Sequence, residues 1–376
     1  MSQAPRVLNP AERLDWLRLI RSENVGPITF YQLLARFGSA EAALAALPEI
    51  ARRGGRAKAL AIASRASAER ELQALSETGG RLVAWGEPDY PPALAAVDDA
   101  PPLIAIKGIA KFFERTTVAV VGARNASANG RRFARDIALQ LGQQGMLVIS
   151  GLARGIDAAA HEGALATGTA AVLAGGIDQI YPEENRALHE QIAERGILIA
   201  EMPVGTEPQA RHFPRRNRII SGASLGVLVV EAATRSGSLI TARFALDQGR
   251  DVFAVPGSPL DPRCRGTNDL IRNGATLVES VDDVMRELSP RFRAALSEQN
   301  RASFAPAAMA AAGDAELARA REKIAELLSP TPVPVDEIVR QCQLSPPLVV
   351  TILLEMELAG HVRRHSGNQV FLLSGY

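Results

Sequence analysis

The sequence predicts an α/β protein: a doubly wound, parallel sheet flanked by a small N-terminal helical domain and a C-terminal winged helix. Three observations lead there. Short apolar runs alternate with helical patterns between residues 116 and 288, and the segment before residue 80 reads as short helices. From Glu316 onward, three helical patterns are followed by a hairpin. The boundaries expected are 1–80 for the helices, 81–290 for the sheet domain, 291–315 for an Ala-rich linker and 316–376 for the winged helix.

Taken in order, Trp16, Leu19 and Ile20 give one apolar helical face, and Phe30, Leu33, Leu34 and Phe37 give the next, with Gly26–Pro27 as the turn between them. Such helix–turn–helix pairs either hold a nucleic-acid backbone through turn amides or serve as an interaction domain. Arg81–Trp85 reads as a strand, and Leu103–Ile106 as an edge strand. The alternating region then predicts strands at 117–122, 147–151, 170–174, 197–201, 226–231, 251–255 and 276–279. Helices fall between them at about 129–144, 156–167, 184–195, 214–222 and 238–249. In the C-terminal part, helices are expected at 316–328, 335–342 and 346–359, with the hairpin turning at Ser366–Asn368.

Length and composition narrow the function classes. The 376 residues are 47% hydrophobic, enough for a substantial core, and the formal charge of +1 names no partner by itself. The two cysteines, Cys264 and Cys342, have neither disulfide-framework nor zinc-ligand spacing. The N-terminus lacks a signal-peptide core, and no apolar run approaches the ~18 residues of a membrane span. A cytoplasmic protein with no membrane attachment is expected.

Local charge is more telling. No acid occurs from Arg115 to Arg135, a stretch holding Arg124, Arg131 and Arg132, and none from Gln209 to Val230, which holds Arg211, Arg215, Arg216 and Arg218. Solvated helix faces usually interleave acids with bases, so two acid-free arginine clusters point to a polyanion. The residues expected at the carboxyl ends of the strands are rich in glycine and polar groups: Gly122-Ala-Arg124, Ser150–Asp157, Gly175–Asp178, Glu231 and Pro256-Gly257, and Ser236-Gly-Ser238 resembles a phosphate-binding helix start. Tyr181 and Phe213 either stack on bases or pack in the core, with the core favoured for Phe213. Enzyme-like candidates are Asp157, His161 and Glu231, the first two expected to form a buried pair at a helix start. No carboxylate cluster resembles a metal site, and no Gly-x-Ser-x-Gly elbow is present.

The ordered motifs together resemble the DprA/Smf family of bacterial DNA-processing proteins. They are Val121-Gly-Ala-Arg124 with Ser127 and Gly130, Ser150-Gly-Leu-Ala-Arg-Gly-Ile-Asp157 with His161, and Gly175-Gly-Ile-Asp178 with Tyr181-Pro182 and Asn185. Phe213-Pro-Arg-Arg-Asn-Arg-Ile-Ile-Ser221, Glu231, Arg235-Ser-Gly-Ser-Leu-Ile-Thr241, Val252–Gly257 and Gly266–Ile271 follow. The resemblance implies an extended Rossmann domain preceded by a sterile-alpha-motif-like domain. It implies a protein that binds and protects single-stranded DNA, forms a homodimer through the Rossmann domain, and loads the RecA recombinase during natural transformation. No catalysis, cofactor or metal is implied.

The DNA-binding residues implied are Gly122, Ala123, Arg124 and Ser127 in the first loop, and Ser150, Gly151, Arg154 and Gly155 in the second. Gly175, Gly176, Tyr181, Asn185 and Arg186 follow, then Phe213 with Arg216, Asn217 and Arg218, and last Ser236, Gly237 and Ser238. Arg186 stands where some members carry a lysine. The role of Arg216–Arg218 is either phosphate contact or loop scaffolding. A second reading, a nucleotide-binding enzyme similar to nucleoside-monophosphate phosphoribohydrolases, ranks lower, because Thr241 stands where their glutamate belongs. In the winged helix the third helical segment carries Glu355 and Glu357 and no basic residue, so it is not expected to read DNA. The hairpin arginines, Arg363 and Arg364, are the cationic element there, and removing the whole unit at the linker is expected to leave the central sheet intact.

Overall fold

The computed structural model describes residues 7–288, 314–365 and 368–373; residues 291–313 of the expected linker and the tip of the expected hairpin turn, residues 366 and 367, lie outside them, while 314 and 315 already belong to a helix. Four helices lead the chain: α1 (Pro10–Arg21), α2 (Pro27–Phe37), α3 (Ala40–Arg53) and α4 (Arg65–Glu77). Asn9 opens α1 with a capping box, its side chain accepting from the Glu12 N–H (2.9 Å) while Glu12 accepts from the Asn9 N–H (3.0 Å). Gly38, at φ 75°, ends α2 in the left-handed conformation that glycine adopts without strain.

The central segment runs β1 (Arg81–Ala84), α5 (Pro92–Ala95), β2 (Leu103–Gly108), β3 (Thr117–Val121), α6 (Ala128–Gln143), β4 (Leu147–Ser150), α7 (Ile156–Ala164), β5 (Thr169–Leu173), α8 (Arg186–Arg195) and β6 (Ile197–Ala200). It continues with α9 (His212–Gly222), β7 (Gly226–Val229), α10 (Gly237–Asp247), β8 (Asp251–Ala254), α11 (Arg265–Arg272), β9 (Thr276–Leu277) and α12 (281–288). The strands form one sheet in the order β1-β2-β6-β5-β4-β3-β7-β8-β9. All neighbours from β6 to β9 in that order are parallel, whereas β1/β2 and β2/β6 are antiparallel. β2 is therefore not the edge strand expected: Arg81–Ala84 pairs outside it, Arg81 opposite Ile106. Its Leu103–Ile106 run is accordingly buried throughout.

Continuous apolar strands mean burial on both faces, and β3 shows how. Val118 and Val120 point into one core with Ile137, Leu141, Val148, Ile156 and Phe253. Ala119 and Val121 point into the other with Ile149, Val172, Ile199, Ile219 and Val229. The period of two thus feeds two helical layers from one strand. β4 lies on one side of β3 and β7 on the other, so the strand order turns there and opens a crevice at the carboxyl ends.

The last elements are α13 (Asp314–Leu327), β10 (Val333–Pro334), α14 (Val335–Cys342), α15 (Pro346–Ala359), β11 (Val362–His365) and β12 (Gln369–Leu372), with the strands ordered β10-β12-β11. Three helices and a small antiparallel sheet are a winged helix, as the sequence predicts. Their partner within one compact unit is Leu8–Glu69, while the segment from Arg70 through the large sheet forms the other unit. Leu354 and Leu358 of α15 share a core with Phe30, Leu33, Leu47 and Ile50. The end of α3 packs so closely that a Cβ on Gly54 would overlap the Glu355 carbonyl. Glu355 is fully buried against Arg321 (2.6 Å). The Glu357 Oε2 accepts from the Thr29 hydroxyl (2.6 Å) and the Arg364 Nε (3.1 Å). These two carboxylates are thus internal, not a phosphate-repelling surface, and Arg364 of the wing serves the same packing.

Candidate nucleic-acid interface

The motif-bearing loops collect at the carboxyl ends of β4 and β5. A shallow pocket there is lined by Gly151, Ala153, Gly175, Gln179, Tyr181, Pro208, Phe213 and Arg216, among others. Its enclosed volume is about 10 Å³, room for one water, so a ligand must lie across its mouth rather than inside it. Gly151 is required because a Cβ would overlap the Arg216 guanidinium. Gly155, at φ 78°, brings the second loop against the carbonyls of Ala123 and Arg124 in the first. Leu152 is also left-handed (φ 55°) and fully buried, an unfavourable backbone held by the Asn185 side chain, which donates to its carbonyl (3.0 Å).

Phe213 is half-buried rather than a core residue. Its ring lies 5.7 Å from that of Tyr181, which is 47% exposed. The Arg124 guanidinium sits over Phe213 at 4.8 Å and that of Arg216 at 5.8 Å. Arg124 is exposed and has no carboxylate partner among the described residues; the same holds for Arg131, Arg132, Arg211 and Arg215. Arg154 and Arg186 are exposed but paired, with Glu184 (2.8 Å) and Glu183 (2.7 Å). Such exposed pairs are weak because water screens them, and a phosphate can replace the carboxylate.

Arg216 differs from all of these. Its side chain is 7% exposed, its Nε has no partner, and its nearest carboxylate, Asp157, stands 3.9 Å away. Burial pushes the Asp157 carboxyl up and the Arg216 guanidinium down, against the attraction of each for the other. Desolvation therefore outweighs the pairing for both groups, which leaves a buried cation on the pocket wall short of counter-charge.

Asp157 and His161 are not the pair expected. Asp157 accepts from the N–H groups of Gly151 (3.2 Å) and Ala153 (3.4 Å). The Thr169 hydroxyl donates to the Val148 carbonyl (2.8 Å) and so accepts from His161 Nδ1 (2.8 Å), leaving Nε2 buried without a partner. Burial, aided by Arg216, lowers the His161 pKa from 6.5 to about 3. Between those values the unfolded chain binds the extra proton, so this stability is complete above pH 6.5 and is lost as pH falls towards 3. A histidine held this way costs about 1.4 kcal/mol per pH unit across that window. His161→Gln is expected to flatten the dependence of thermal stability on pH between 6.5 and 4.5, and a slope equal to wild type would show that other groups set it.

The remaining motif residues are placed apart from the pocket or serve the scaffold. Ser150 donates to the Val120 carbonyl (2.6 Å), and the Gly176 N–H to that of Thr206 (2.9 Å). The Arg218 guanidinium is held by Glu201 and the Asp99 carbonyl, and Asn217 donates to the Gly237 carbonyl (3.3 Å). Ser236 caps α10, its hydroxyl 2.8 Å from that of Ser238; Ser127 caps α6, Gly122 lies against Ile156, and Ala123 against Gly155. Sequence reasoning missed Gln179 and Pro208 on the pocket wall, since nothing in an isolated amide or proline marks a lining residue. Thr241 is buried within α10, and among the described residues no group of three His, Cys, Asp or Glu side chains could hold a metal ion. No single helix among them is long and apolar enough to cross a membrane.

Fold and site together define a Rossmann-type α/β protein with an arginine- and aromatic-lined crevice at the carboxyl edge of its sheet. Comparison with known proteins gives the family. The description DNA recombination-mediator protein A matches residues 81–289, the DprA-like N-terminal HHH domain matches 10–74, and the DprA winged helix domain matches 306–368. Protein Smf of Escherichia coli is 37% identical over 311 residues, 82% of each chain. DNA processing protein DprA of Bacillus subtilis is 42% identical over 225 residues, 59% of this chain and 76% of its own. Among solved structures, DprA of Streptococcus pneumoniae is similar with a TM-score of 0.62 at 33% identity, covering 75% of this chain and 99% of its own. DprA of Helicobacter pylori, described for its single-stranded DNA binding mode, gives 0.52 at 26% identity, covering 56% and 96%. This chain belongs to the DprA/Smf family.

Proposed function

We propose that this protein binds single-stranded DNA across the crevice between the β4 and β5 loops and passes it to the RecA recombinase during natural transformation. The observation that carries the reading is the Tyr181–Phe213 ring pair flanked by Arg124 and Arg216. The exposed Tyr181 ring and the half-buried Phe213 ring accept any base, while Arg124, without a carboxylate partner among the described residues, and Arg216, 3.9 Å from its own, accept the phosphates, which suits a strand without sequence preference. Arg124, Arg211 and Arg215 supply the first phosphate contacts, with Arg154 and Arg186 exchanging their glutamates for phosphate. Gly151, Gly155, Gly175 and Asn185 hold the loops that place them. Recombinase loading is supported by the family's description as a recombination mediator. Homodimer formation is supported by β9, an edge strand of the sheet among the described residues, where Leu277 is 43% exposed and Leu260, after β8, is 89% exposed. Single-stranded DNA and a recombinase as partners imply a cytoplasmic protein, and the reading assigns it no reaction.

Affinity for a single-stranded oligonucleotide should fall steeply with salt, the log–log slope being about −0.7 per phosphate contacted. Arg124→Lys keeps the charge but loses the planar fork, and is expected to weaken binding by about 1–3 kcal/mol. Fluorescence anisotropy with single- and double-stranded oligonucleotides at several salt concentrations checks both. Binding that ignores salt, or that prefers duplex, would refute the reading.

A further inference from the structure

In open α/β sheets the crevice outside the turning point of the strand order receives the phosphates of nucleotides, at the N-terminus of the helix after the first strand. In this protein that position, between β3 and β7, is filled from within. Glu231 follows β7 and is 6% exposed. Its Oε2 accepts from the Ser127 N–H (2.9 Å) and its Oε1 from the Ser127 hydroxyl (2.5 Å). Ser127 is the N-cap of α6, and its Oγ accepts in turn from the Gly130 N–H (2.9 Å). Gly130 lies against the same carboxylate, for a Cβ there would meet its Cδ and Oε1 at 2.5 Å. The cap amide, the hydroxyl and the space left by a missing side chain are thus all used on one internal anion.

We infer that Glu231 is a specificity-determining residue: its carboxylate stands in for a phosphate and closes the turning-point crevice to free nucleotides. A nucleotide phosphate entering there would have to displace a tethered, buried anion that already holds the donors, and its own charge would be repelled meanwhile. Arg263, which feels the Glu231 charge, does not offset this, because it is itself bound to Asp261 (2.8 Å). The consequence is a division between the two crevices. Phosphate is refused beside β3 and β7, whereas the crevice beside β4 and β5 keeps its undercompensated Arg216, so free nucleotides do not occupy the loop that supports Arg124.

The test uses the full-length protein, with inorganic phosphate and AMP as probes at constant ionic strength, followed through the Ser127 and Gly130 amide resonances. Wild type is expected to show no saturable shift. Glu231→Ala, which empties the position and removes the charge, is expected to show a saturable shift at both amides with at least tenfold tighter apparent binding than any wild-type response. Where Glu231→Ala does not fold, Glu231→Ser, which also shortens the side chain and removes the charge, carries the test under the same two outcomes. A saturable response at these amides in wild type overturns the inference, and so does a folded variant with none. Single-stranded DNA affinity measured on the same samples reports separately on the proposed function, which can fail while the wild-type and variant phosphate titrations still stand.

Discussion

Arg216→Ala is expected to weaken single-stranded DNA binding at least a hundredfold, about 2.8 kcal/mol. The size follows from burial. A guanidinium 7% exposed, with its Nε unpartnered and its carboxylate 3.9 Å away, gains more from an incoming phosphate than an exposed arginine does. Water screens it little, and Asp157 at 3.9 Å offsets its charge only in part. Arg216 also braces the loop through Gly151, so a loss of fold could imitate a loss of binding. Arg216→Lys resolves this, since it retains a buried cation near Asp157 while losing the fork. Its thermal transition should stay close to wild type as its affinity falls. If Arg216→Ala folds and binds within threefold of wild type, the pocket wall is not where DNA makes its strongest contact, and the exposed arginines carry the binding alone.

Arg364→Ala is expected to destabilise the unit formed by the N-terminal helices and the winged helix by about 3–5 kcal/mol, the usual cost of leaving a buried carboxylate without its cation. Glu357 is 11% exposed and Arg364 8%. Burial already pushes the Glu357 carboxyl up, against the pull of Arg364 and the Thr29 hydroxyl. With Arg364 gone, only Thr29 opposes that shift. Calorimetry should therefore show this unit melting earlier while the transition of the large sheet stays put, and DNA affinity should be retained. Coincident transitions that move together would mean that the two units unfold as one. The same packing revises how the winged helix can be removed. A chain cut at the linker would strip Leu354 and Leu358 from the core around Phe30, Leu33 and Leu47. The N-terminal helices should be deleted with it if the large sheet is to be studied alone.

What the sequence disclosed and what it hid follow from the range of the interactions. Continuous apolar runs such as Val118–Val121 and helical spacings such as that from 129 to 144 are local signals, and they place the parallel strands and helices to within a few residues. Acid-free arginine stretches are local as well, which is why Arg124 and Arg216 stand out before any coordinates exist. Pairings across the chain leave no such trace. Leu103–Ile106 reads as an edge because its second neighbour, β1, announces itself with only four residues. Phe213 reads as core because its ring partner, Tyr181, and the guanidinium above it come from other loops. Glu355 and Glu357 read as surface charge on an apolar helix, since their compensating groups, Arg321, Thr29 and Arg364, lie elsewhere in the sequence.

The joining of an early and a late segment in one unit sets an order on biosynthesis. Leu8–Glu69 leaves the ribosome before the sheet but lacks the apolar face of α15 until some three hundred residues later. At about 5–20 residues per second that interval is roughly 15–60 seconds. The large sheet, whose strands are complete by Leu277, can close during the wait. The N-terminal helices meanwhile hold Phe30, Leu33 and Leu47 without their final cover, so a nascent chain stalled before Pro346 would present those side chains to chaperones.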